Sequence, residues 1–157
     1  MKNEKGQSLF EIVVALAVST LIIVAIVALA STSIRNSSYS RNNTVATRYA
    51  QQTMEWLRSE RDINWNDFYA VASATPSWCM TELDWTISNA KPNCSDNEFI
   101  PDTFFYREVV FTAGTIDVSG VPKQYVDAFV KVYWVDSQGE HQVSSTTRFS
   151  DWRDLQR

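Results

Sequence analysis

From Ile12 to Ala30 the chain carries no charge, no glycine and no proline, and only Ser19 and Thr20 are polar. Leu, Ile, Val and Ala would surround a helix here on every side, so the stretch does not read as a half-exposed amphipathic helix. A helix crosses a bilayer core with roughly 20 such residues, and it satisfies its own backbone groups as lipid demands. Ser31 to Thr47 then turns polar, rich in Ser, Asn and Thr, which are mediocre helix formers. Amphipathic spacing resumes beyond it: Ala46, Ala50, Thr53 and Leu57 share one face with Tyr49, Met54 and Trp56. Glu55 and Arg58 form an i,i+3 pair on the other side, with Glu60 and Arg61 nearby. After Gly6 the next glycine is Gly114, and the first proline is Pro76. The pattern predicts one helix over Ser8 to Asp62, roughly 80 Å long at 1.5 Å per residue.

Asn64-Trp65-Asn66-Asp67 is expected to end that helix, and Tyr69 to Pro101 reads as irregular. Three alternating runs follow. Thr103 to Ala113 places Phe105, Val109 and Phe111 on one face. Tyr125 to Val135 places Val126, Ala128, Val130, Val132 and Trp134 on one face, with Asp127 and Lys131 opposite. Gln142 to Phe149 turns Val143 and Phe149 toward the core. Gly114 to Pro122 and Asp136 to Glu140 are the expected connections, giving an antiparallel meander with one face on the helix. The expected fold class is α+β: a long N-terminal helix packed on a small antiparallel sheet of three to four strands. The expected parts are a leader at 1–6, a membrane or core helix at 7–30, and a second helical half at 31–62. A globular domain follows at 63–157, with a Cys-containing loop at 66–101 and the sheet at 103–149. Trp152 is expected against the sheet end.

Composition narrows the function classes. With 157 residues and one segment spent on a membrane, only one modest soluble domain can form. A net charge of −4 leaves no basic footprint for nucleic acid. The single histidine, His141, has no Ser, Cys or Asp set around it, and no Gly-rich phosphate loop is present. No catalytic residue, cofactor or metal is therefore assigned. Cys79 and Cys94 lack metal spacing and His partners; outside the membrane they read as a disulfide. Asp96-Asn97-Glu98 and Asp117 to Gly120 do not match a full calcium loop and read as solvated turns. Asn36-Ser37-Ser38 and Asn42-Asn43-Thr44 are glycosylation sequons that such a Ser- and Asn-rich stretch produces by chance.

Lys2 and Lys5 precede the apolar run, which puts the N-terminus in the cytoplasm and the rest of the chain outside. A secretory signal peptide has the same order of charge and apolar run. This run is too long for one, and Ser31 to Asn43 makes a poor cleavage region. One carboxylate, Glu11, stands inside the start of the run. At a helix centre it would cost about 2.5–3.5 kcal/mol on insertion scales, and less near the end. It has a local reading and an intermolecular one. Ser8-Leu9-Phe10-Glu11 fits a capping box, with Ser8 as N-cap and Glu11 at N3. Alternatively, the charge awaits a positive group from a neighbouring subunit.

Gly6, then Gln7-Ser8-Leu9-Phe10-Glu11, then a long apolar helix, resembles the class III signal of type IV pilins and pseudopilins. The resemblance covers about the first thirty residues. It implies cleavage after Gly6 by a prepilin peptidase, N-methylation of Gln7 and a role for Glu11 in assembly. It also implies a pilin-like fold, packing against other pilin or pseudopilin subunits through the helix, and contact with inner-membrane lipid. Gln7 stands where major pilins usually have Phe, and Ala28 where they usually carry a proline. Both departures favour a minor pilin or minor pseudopilin. Ala50 to Glu55 with Trp65, and the terminal Thr147 to Arg153, resemble minor pilins of the pilus-modification or pseudopilin I type. The implied role is structural, not enzymatic. The implied location is the inner membrane and then an extracellular or periplasmic filament. A different class of function also fits the residues: an anchored binding or adhesion module that uses its aromatic ectodomain and never polymerises.

Overall fold

The computed structural model describes residues 5–151, with side chains from Leu9 onward. Trp152, expected against the sheet end, lies outside the described residues. The elements run α1 (Lys5–Ile63), α2 (Trp65–Ala74), β1 (Ser77–Cys79), a 3-10 turn at Ile87–Asn89, β2 (Tyr106–Val118), β3 (Val121–Asp136) and β4 (Gly139–Ser150). The chain divides into two compact units, residues 1–42 and 43–157.

The first unit contains the N-terminal part of α1. From Leu9 to Ile34 its large apolar side chains are exposed throughout. The two polar residues of the apolar run turn back on their own helix. The Ser19 hydroxyl donates to the Ala15 carbonyl at 2.7 Å, and the Thr20 hydroxyl donates to the Leu16 carbonyl. Such i−4 bonding leaves neither hydroxyl demanding an outside partner, so this helix is long and apolar enough to cross a membrane.

The second unit is an α+β domain. The C-terminal part of α1 packs on a four-stranded antiparallel sheet of order β1-β2-β3-β4. The helix face read from the spacing is the buried one: Ala46, Ala50, Thr53, Met54 and Leu57 are all buried. They meet Val126, Ala128, Val130, Val132 and Trp134 of β3, each fully buried, together with Val109 and Phe111 of β2 and Phe149 of β4.

Three elements differ from expectation. The segment after α1 is not irregular at its start: α2 follows immediately, because the Asn64 side chain accepts from the amides of Asn66 (3.0 Å) and Asp67 (3.3 Å). An N-cap of this kind restarts a helix after a single break. Phe68 and Ala72, at i and i+4, then bury into the core. β1, also in the expected loop, pairs Cys79 with Glu108 in β2. The long connection expected over Gly114 to Pro122 is instead a two-residue turn, Ser119-Gly120, with both residues at positive φ (57° and 84°). Two positive φ values match the right-handed twist of the flanking strands, so β2 and β3 run on to Val118 and Val121. Gly114 is therefore mid-strand. It lies opposite Tyr125, and a Cβ there would come within 2.7 Å of the tyrosine hydroxyl.

Candidate functional site

Gly6 and Gln7 lie within α1, as does Ser8. Lys5 to Ser8 are already helical in the uncut chain, so there Ser8 is inside α1 and is not its N-cap, which corrects the capping-box reading for that form. The physical reason is that nothing between Lys5 and Ser8 stops the helix: a glycine costs only about 1 kcal/mol relative to alanine. An N-cap residue needs non-helical backbone angles, and Ser8 has helical ones. Glu11 is exposed on the apolar helix and, among the described residues, has neither an ion-pair nor a hydrogen-bond partner. Around it on the helix stand Leu9, Phe10, Ile12 and Val14, all exposed. A carboxylate in such a setting is costly once water is removed unless it gains a partner.

The other candidate pair is closed: Cys79 and Cys94 form a disulfide with Cα atoms 5.0 Å apart. The loop it closes reaches the helix and returns. Trp85 packs on Trp56 of α1 with ring centroids 4.7 Å apart, and its indole N–H donates to Glu60 Oε2 at 2.7 Å. The loop then comes back to the outer face, where the Cys94 amide donates to Glu108 Oε1 at 3.1 Å. Tyr133 donates to the same oxygen at 3.0 Å; burial, together with this carboxylate, pushes its phenol well above the usual range. Tyr133 also stacks on Tyr106, whose ring meets that of Phe99 at a tilt, with centroids 4.6 Å apart.

One buried residue that sequence reasoning passed over is Arg107. It shares the core-facing side of β2 with Val109 and Phe111 and is 3% exposed. Its signal was present in the alternation itself, since 105, 107, 109 and 111 fall on one face.

The remaining polar candidates are occupied by their neighbours. Glu98 accepts from Lys91 and from the Ser95 amide at 2.6 Å, and Asp117 accepts from the Gly120 amide at 2.7 Å. His141 Nε2 lies 3.0 Å from Asp136 Oδ1, and its ring packs near Trp134. No group of three or more metal-ligating side chains occurs among the described residues. A concave site of about 580 Å³ lies beside Trp65, Gln124 and Tyr125. There the Trp65 indole donates to Gln124 Oε1 at 3.2 Å, and the Arg148 guanidinium lies 4.2 Å over the Tyr125 ring.

No protein-family model, curated protein or solved structure matches the chain.

Proposed function

We propose that the chain is a structural subunit, a minor pilin or minor pseudopilin, of a type IV pilus or type II secretion pseudopilus. In this reading it is a substrate of a prepilin peptidase and not itself an enzyme. Cleavage falls after Gly6, Gln7 becomes the methylated N-terminus, and the apolar part of α1 holds the subunit in the inner membrane. The same helix then packs among those of other subunits. One observation carries the reading: Glu11, five residues past Gly6, is exposed on an apolar helix and has no partner among the described residues of its own chain. An intramembrane carboxylate is costly and marks function. The positive amine of Gln7 in an adjacent subunit fits it by charge, and the low dielectric strengthens that attraction.

The test is the mature N-terminus, read by mass spectrometry of the membrane-bound and assembled protein. The expected start is Gln7, and Gly6→Glu leaves a full-length precursor in the membrane. A start at Ser31 or later identifies an ordinary signal peptide and overturns the reading.

A second reading, an anchored binding module, is favoured by the concave site at Trp65 and Tyr125. Such sites join apolar walls to a few placed polar groups, here Gln124 and Arg148. It requires neither Gly6 nor Glu11, so normal behaviour of both variants would favour it.

A further inference from the structure

The two edges of the sheet are built differently. β1 is three residues long and leads straight into the disulfide-closed loop. β4 is twelve residues long and, among the described residues, pairs only with β3. Exposed edges are commonly blunted by shortness, proline, lysine or bulges, because a row of unpaired N–H and C=O groups recruits another strand. β4 contains no proline and no lysine, and Gln142 to Thr147 is uncharged. Its solvent-facing residues are Glu140, Gln142, Ser144, Thr146 and Arg148, all exposed. The charges stand at the two ends of that row, acid at one and base at the other.

We propose that β4 pairs antiparallel with β4 of a second copy of this chain, centred on Ser144. In that register Glu140 lies opposite the second copy's Arg148, Gln142 opposite Thr146, and Ser144 opposite itself. The arrangement is two-fold, so each contact occurs twice. Alternate residues share a face, so all these pairs fall on the same side of the joined sheet. Sliding the strands by two residues in either direction leaves Glu140 opposite Thr146 or Ser150, and both charges lose their partners. Within each copy Glu140 Oε1 already lies 3.2 Å from Lys131 Nζ, and Arg148 holds both oxygens of Asp127 at 2.7 Å. The joined sheet therefore carries two rows in which the signs alternate from Lys131 through Glu140 and Arg148 to Asp127. A single strand pair buries less than the roughly 1,200 Å² of a stable interface. The contact is accordingly weak between free copies and is best read by covalent trapping. It depends on neither the processing nor the filament assembly proposed above.

The test uses the full chain in membranes. Cys79 and Cys94 are bonded to each other and are the only two cysteines, so Ser144→Cys adds one free thiol. Directly opposed Cβ atoms lie about 4.5–5.5 Å apart, close enough for mild oxidation to bridge them. In the proposed register, position 142 lies about 13 Å from its own copy, too far to bridge. Ser144→Cys is expected to give at least about tenfold more covalent dimer than Gln142→Cys or Thr146→Cys alone. A mixture of the latter two, differently tagged, should give the mixed dimer. Equal yields from all three single variants, or capture of another protein in place of the second copy, overturn the pairing.

The charges are tested in the Ser144→Cys background. Glu140→Arg sets like charges opposite each other at both ends, and so does Arg148→Glu, so each variant alone should cross-link several-fold less. Mixing the two restores opposite charges at both ends, and the mixed dimer should recover. A mixed dimer no more abundant than either self-dimer overturns the register.

Discussion

Arg107 and Met80 are joined twice: the Met80 amide donates to the Arg107 carbonyl at 2.8 Å, and Arg107 Nε donates to the Met80 carbonyl at 2.8 Å. The rest of the guanidinium reaches the Thr81 carbonyl (3.0 Å) and the Thr53 hydroxyl on α1 (3.4 Å). One buried cation thus ties β2, the start of the disulfide loop and the packing half of α1 together. Burial lowers its pKa to about 10, which leaves it charged at neutral pH.

Arg107→Met should destabilise the globular unit by about 1–3 kcal/mol, because the buried Met80 carbonyl and the partly buried Thr81 carbonyl lose their side-chain donor. Arg107→Lys should recover little of this. A single ammonium cannot send donors in the three directions that Nε, Nη1 and Nη2 cover. The urea midpoint of the full chain in micelles is the measurement. A lysine variant as stable as the parent would show that charge, not the planar fork, matters here.

The disulfide closes a loop of 15 residues in sequence separation. By the chain-entropy model that constraint contributes about 3 kcal/mol. Replacing both Cys79 and Cys94 by alanine should lower the urea midpoint accordingly, and reductant should have no further effect on the variant. In exported parent protein, alkylation without reductant should label neither cysteine.

Among the described residues four carboxylates, Asp84, Glu98, Asp127 and Asp136, are held below the usual range and shape the acid limb. The hydrogen bond from Lys91, then that from the Ser95 amide, holds Glu98 below the usual range; Arg148 does the same for Asp127. A carboxylate lowered in the folded state takes up its proton first in the unfolded chain. Its contribution is complete above the unfolded value, about 4, and is lost as pH falls through the folded one. Stability should therefore fall on acidification below about 4. Glu98→Gln and Asp127→Asn should each flatten that fall while costing less than about 1 kcal/mol near neutrality, since both pairs are partly exposed. A pH-stability curve for each variant against the parent decides it.

Much of this architecture was legible because burial follows period. The 3.6 spacing of Ala46, Ala50, Thr53 and Leu57, and the alternation from Val126 to Trp134, each mark a face that is buried. What was not legible turned on single residues whose local reading has two outcomes. Gly114 suggests a loop, yet it makes room for the Tyr125 ring in mid-strand. Asn64 suggests a helix end, and it is also the cap that begins α2. Arg107 has a polar name on an apolar face, and only the carbonyls that fold back from the disulfide loop explain it. At the N-terminus, Ser8 and Glu11 have capping-box spacing, but spacing does not show that the backbone before Ser8 is already helical in the uncut chain.

The helical backbone at Ser8 sharpens the experiment on Glu11. Glu11→Gln removes the charge and keeps the size and most of the hydrogen-bonding capacity of the side chain. Helix propensity is nearly the same for the two residues. In the uncut chain Ser8 lies inside α1, so the carboxylate has no capping role to lose there; after cleavage Gln can complete a capping box at N3 as Glu does, and the variant should insert and be cut after Gly6 as the parent is. If Glu11 neutralises the amine of a neighbouring Gln7, the variant leaves a positive amine unpaired among apolar helices. Breaking such a pair by removing one partner costs about 3–5 kcal/mol, enough to exclude most variant subunits from a filament. The measurement is the amount of this subunit in sheared or purified filaments, variant against parent, at matched membrane levels. The expected outcome is normal membrane level, normal cleavage and a large loss from the filament fraction. Equal incorporation would retire the charge match while leaving the membrane helix and the cleavage site standing. Failure already at insertion or cleavage would instead place the role of Glu11 before assembly.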